Sequence, residues 1–172
     1  MRRVMLICAL LVGLSLPAVA AARAQAGAKP GYVVVRNAAG DGGVNGHAIV
    51  TLVVRGFVLG SISPQGQAKV DIYQLPGEAI PQTTPGVKKT GVRWKGRPGH
   101  EFSGSGFRFR ATGGYYRVVV RGSGVYLYVG GQGTVTLRGK SYNRLSDGTY
   151  SIDGSTPRSL PTNSVSRRIG PG

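Results

Sequence analysis

From Tyr115 to Arg138 the chain reads YYRVVVRGSGVYLYVGGQGTVTLR, and apolar and polar side chains alternate through three runs, each closed by glycine. A period of two belongs to the β-strand, because successive Cβ atoms point to opposite faces of a pleated sheet. The pattern predicts a meander in which Gly122 and Ser123 form a two-residue turn. On that register Val118 faces Leu127, and Gly131-Gln132-Gly133 makes the next turn. One face then collects Tyr116, Val118, Val120, Val125, Leu127 and Val129. The other collects Arg117, Val119, Arg121, Tyr126, Tyr128, Thr134, Thr136 and Arg138. A slip of one residue would drive arginine among aliphatics, so the pattern fixes which residues face inward. Upstream, Phe107 and Phe109 alternate with Arg108 and Arg110 and repeat the division.

Similar runs fill the rest of the chain. Tyr32 to Arg36 and His47 to Arg55 read as strands, and VVRG at Val53 to Gly56 echoes VVRG at Val119 to Gly122. Val58 to Ile62, a turn at Pro64-Gln65-Gly66, and Val70 with Ile72 continue the echo. Two related meanders near residues 48–73 and 115–138 follow from this, set face to face as an antiparallel β-sandwich or small barrel. A short β-solenoid is the alternative, disfavoured by the uneven spacing of the runs. Leu75 to Lys89 carries Pro76, Pro81 and Pro85 and is expected as a crossing loop or edge segment. Thr90 to Lys95 reads as a strand with Val92 and Trp94 facing in, Arg97 to His100 and Gly104 to Gly106 as turns, and TYSI before Asp153-Gly154 as a last strand. No segment beyond the leader reads as a helix.

The ends are set apart. MRRVMLICALLVGLSLPAVAAARAQA has an arginine pair, an apolar run and small residues before Ala26, the layout of a secretory signal peptide; a retained anchor is the alternative. Residues 1–26 are read as that signal, 27–154 as one all-β domain, and 155–172 as a disordered tail. The single cysteine, Cys8, lies in the leader, so the exported form has no thiol chemistry and no disulfide. Formal charge is +16, with 22 Lys and Arg against 6 Asp and Glu, and the leader takes only Arg2, Arg3 and Arg23 of that excess. An exported chain this basic is expected to meet an anionic polymer or envelope surface: wall polymers, acidic polysaccharide, lipid head groups or extracellular nucleic acid.

The expected ligand surface is the face bearing Arg117, Arg121, Tyr126, Tyr128, Thr136 and Arg138, extended by Arg108 and Arg110. Arginine offers a planar fork for phosphate or carboxylate, and tyrosine a flat ring for stacking. The competing reading is a solvated sheet face, since Arg, Thr and Tyr are also good strand residues. Lys88, Lys89, Arg93, Lys95 and Arg97 form the densest basic run, which also suits an edge strand protected against aggregation. Two histidines, His47 and His100, and scattered acids give no nucleophile motif and no metal-ligand spacing, so neither catalysis, cofactor nor metal is expected. A carboxylate pair drawn from Asp71, Glu78 and Glu101, or His100 with Glu101, would be needed for a hydrolase. Self-association through sheet edges is the other alternative. No motif is specific to a known family or to nucleic-acid recognition.

Overall fold

The computed structural model describes residues 31–37, 47–74, 81–84, 87–139 and 147–171. The leader, the glycine-rich stretch after Asn37, and parts of the proline-rich segment, Glu78 included, lie outside the described residues. The strands are β1 (Gly31–Arg36), β2 (Ala48–Ile62), β3 (Ala68–Gln74), β4 (Gln82–Thr83), β5 (Lys88–Trp94), β6 (Arg97–Gly104), β7 (Arg108–Gly122), β8 (Val125–Gly139), β9 (Thr149–Ile152), β10 (Arg158–Ser159) and β11 (Val165–Ile169). They form one antiparallel sheet in the order β10-β9-β1-β8-β2-β7-β3-β6-β5, with β11 on β8 and β4 on β7. It is not closed into a barrel, and its strands do not stack as solenoid coils.

Two constraints show how the sheet is folded. Gly122 at the end of β7 pairs with Ala48, while Val125 at the start of β8 faces Ile62, so neighbouring stretches of chain reach opposite ends of β2. A 15-residue strand extends on the order of 45 Å. Three residue steps reach only about 11 Å, so β2 must double back. It does so with β7 and β8 along a row of glycines, because Gly56 pairs with Gly114 on one side and Gly131 on the other. A side chain on Gly56 would strike the carbonyl of Gly130, and one on Gly131 the carbonyl of Arg55; both residues have positive φ, 150° and 138°. Only glycine permits so close a backbone approach. Gly113 sits as the extra residue of a bulge beside this row, where the register shifts after Gly56.

The crease divides the sheet into two layers. The front layer holds β5, β6, β3, residues 115–122 of β7, 48–55 of β2, 132–139 of β8, and β11. The back layer holds β4, residues 108–112 of β7, 57–62 of β2, 125–130 of β8, β1, β9 and β10. Val50, Leu52, Val54, Val118, Val120, Val135 and Leu137 from the front and Val33, Val35, Val58, Leu127 and Val129 from the back join one core, all inaccessible to solvent. Truncating a leucine such as Leu52 in such a core costs about 2–5 kcal/mol.

The inward set agrees with the alternation, but the pairing differs. β7 and β8 are not a hairpin: both are antiparallel to β2 and flank it, so Val118 pairs with Leu52 and Ile72 while Leu127 pairs with Gly60 and Val35. The two related meanders therefore do not exist. Gly56 and Gly131 are bends inside continuous strands rather than turns, which is the other local use of glycine in a β pattern. The two VVRG stretches occupy different places, one at the crease and one at a strand end.

Three more expectations are corrected. Residues 155–171 are not a disordered tail: β11 pairs with residues 133–137 of β8, and Leu160 and Ile169 are buried in the core. Arg167 lies between Val165 and Ile169 on one strand face and hides the apolar period. Arg97 to His100 belongs to β6, because the turn is Lys95-Gly96, both at positive φ, pairing Trp94 with Arg97. That register places Val92 and Trp94 on the outer face with Gly99 and Tyr73 rather than inward. The turns at Pro64-Gln65 and Asp153-Gly154 and the TYSI strand stand as read.

Candidate functional site: a trough on the back layer

The expected ligand residues do not share one surface, because the crease sends the two halves of β7 and β8 to opposite sides of the molecule. Arg117, Arg121, Thr136 and Arg138 lie on the outer face of the front layer; Arg108, Arg110, Tyr126 and Tyr128 lie on that of the back layer.

On the front face Arg121, Lys69 and Arg117 are already engaged. Arg121 Nη1 is 2.7 Å from Asp71 Oδ2, and Lys69 Nζ is 2.7 Å from Glu101 Oε2. The bond to Glu101 holds the Lys69 ammonium pKa above its ordinary value. The Arg117 guanidinium lies 4.5 Å from the centroid of Trp94 and 5.5 Å from that of Tyr73, with Lys95 over the same indole at 5.3 Å. Burial, reinforced by nearby Asp71, raises the Tyr73 phenol. Thr136 shares a 2.8 Å hydroxyl contact with Ser166 of β11. Arg138 is exposed beside Ile49.

The back face is built from β8, β2 and β7 in two rungs. Tyr126, Ser61 and Arg108 form one, and Tyr128, Leu59 and Arg110 the next. Tall side chains on the flanking strands and shorter ones between them leave a trough of about 580 Å³, edged by Gln82 and Thr84. A shallower apolar hollow between Phe57, Thr112 and Tyr128 continues it toward the crease. Leu59 and Tyr126 remain 39% and 42% exposed, the two large apolar side chains left to solvent among the described residues.

The trough side chains are held from behind. Tyr128 is half-buried between Tyr32 and Phe57, with ring centroids at 6.0 and 5.4 Å. Arg36 from β1 lies over the Tyr126 ring at 5.8 Å. Arg110 Nε donates to Gln82 Oε1 at 2.6 Å, and Thr84 Oγ1 accepts from the Arg108 amide at 3.0 Å. No carboxylate lines the trough among the described residues, so its arginines face solvent without an ionic partner.

The sequence reading missed Arg36, Leu59, Ser61, Gln82 and Thr84. Parity was signal enough for three of them: with Val35, Val58 and Ile62 inward, Arg36, Leu59 and Ser61 must face out. Gln82 and Thr84 sit in the proline-rich segment and carry no period. Elsewhere, His100 and Glu101 are successive residues of β6 and point to opposite faces, Glu101 toward Lys69. No cluster of three His, Cys, Asp or Glu suited to a metal occurs among the described residues. No family model, curated protein or solved structure matches the chain.

Proposed function

We propose that this chain is an exported, non-catalytic binding domain of the cell envelope or extracellular space, and that it captures anionic polymers in the back-layer trough. The observation that carries the reading is the pairing of Arg36, Arg108 and Arg110 with exposed Tyr126 and Leu59 where no acid lies among the described residues. An arginine without a carboxylate partner keeps its hydrogen-bonding fork for a ligand, and an adjacent ring adds a surface for stacking. The overall excess of cations draws a polyanion toward the molecule before contact.

Edge-to-edge assembly is the weaker reading. The edge strand β5 exposes Lys88, Lys89 and Arg93, and the opposite edge, β10, is two residues long. The test is retention on immobilised heparin as salt is raised. The Arg108→Gln, Arg110→Gln double variant should elute at lower salt than the parent, because fewer counterions are released on binding. Identical elution of the two proteins would overturn the trough as the capture site.

A further inference from the structure

Resting on the capture reading, we infer that the polymer the trough is shaped for is single-stranded nucleic acid. Bases would stack along the Tyr126 and Tyr128 wall while phosphates run along the Arg108 and Arg110 wall. The trough holds its tyrosine rings and the Arg108 and Arg110 cations on separate strands. β8 supplies the aromatic wall, with Arg36 of the neighbouring β1 over the Tyr126 ring, and β7 the wall of Arg108 and Arg110, with β2 as a low floor between them. Two inter-strand spacings put the walls about 9.6 Å apart at the backbone.

A single nucleic-acid strand has the same asymmetry, with flat bases on one side of the sugar and phosphates on the other. A sugar-acid polymer carries its carboxylate directly on the ring, which keeps ring and charge closer together than base and phosphate are in a nucleotide.

The phase of the walls agrees. Because β7 and β8 are both antiparallel to β2, they run in the same direction, and Tyr126 and Arg108 face the same residue, Ser61. Tyr128 and Arg110 likewise share Leu59. The rungs repeat every two residues, about 6.8 Å, which is twice the ~3.4 Å advance per nucleotide of a stacked strand. A strand opened to that spacing meets ring and cation once per nucleotide. A duplex hides its base faces and cannot use the aromatic wall. Recognition of this kind tolerates any sequence, since every base offers a π-face.

Fluorescence anisotropy of the full domain with a labelled oligothymidylate of about ten nucleotides tests this. The comparison ligands are an abasic deoxyribose-phosphate oligomer of equal length, a duplex and heparin. Oligothymidylate should bind on the order of tenfold tighter than the abasic oligomer. Tyr126→Leu should erase that preference and Tyr126→Trp keep it, with thermal melting of both variants reporting that they are folded. Arg108→Gln with Arg110→Gln should reduce the slope of log affinity against log salt by about 1.4. Equal affinity for the oligothymidylate and either the abasic oligomer or the duplex overturns the nucleic-acid inference. Heparin binding in that case leaves general polyanion capture standing. Failure to bind every anionic ligand at low salt overturns both.

Discussion

The outer faces of the two layers carry the same kinds of residue and opposite chemistry. Arginine, tyrosine and threonine alternate outward on both, yet on the front face Asp71, Glu101, Trp94 and Tyr73 occupy Arg121, Lys69 and Arg117, and on the back face no acid among the described residues reaches Arg108 or Arg110. The difference teaches that cation count is a poor guide to a binding surface. What matters is whether a guanidinium already has a carboxylate partner, as Arg121 has and Arg108 and Arg110 have not among the described residues.

The largest expected effect tests whether the faces stay on opposite sides. Gly131→Val places a branched side chain on the Arg55 carbonyl at positive φ, and should lower unfolding free energy by about 3 kcal/mol or abolish soluble expression. Gly113→Ala, also at positive φ but with open space around its Cβ, should cost about 1 kcal/mol in the same urea titration. A similar cost for both would mean that close approach at the crease is not what requires glycine.

Next comes the contrast between the arginines. Arg121→Ala should destabilise by about 2 kcal/mol, because it leaves the buried Asp71 carboxylate without its partner while Asp71 Oδ1 already lacks one. The half-exposed Arg121 side chain keeps the figure below that of a fully buried pair. Arg108→Ala should move the same midpoint little, within about 0.5 kcal/mol, and weaken polymer binding instead. Equal loss of stability at both positions would erase the distinction between an internal brace and a ligand contact.

The smallest effect is a pH dependence confined to the front layer. Burial, then the charge of Lys89, lowers the His100 pKa from 6.5, so between the folded value and 6.5 the folded protein holds fewer protons than the unfolded chain. The His100 contribution is therefore complete above 6.5 and is lost as pH falls through the folded value. Melting temperatures of parent and His100→Gln, subtracted across pH 7 to 5, should show the decline in the parent alone. Flat differences would remove the histidine from the account.

Much of the fold was legible because alternation acts locally: Val118, Val120, Leu127 and Leu137 are inward as their parity demands. Pairing was not legible, since any antiparallel neighbour satisfies the same alternation. Gly56 and Gly131 give one local signal for a turn and for a bend, and the choice is made by strands far away in sequence. The site suffered most from this. Tyr126 and Arg117 share a face only if β7 and β8 pair, and with β2 between them and a crease through all three strands they end on opposite sides. Trp94 was misplaced because the turn falls at Lys95-Gly96, three residues ahead of the one expected at Arg97 to His100, and a displacement by an odd number of residues inverts a strand.

The crease along Gly114, Gly56 and Gly131 also governs how the molecule can come apart. Because three strands cross it uninterrupted, neither side is a separable piece that could melt, be clipped off or be transplanted alone. Amide protons on the two sides should become labile together, and a fragment ending at the crease should stay unfolded. The protein is one creased leaf, and its trough lasts only as long as the whole leaf holds its shape.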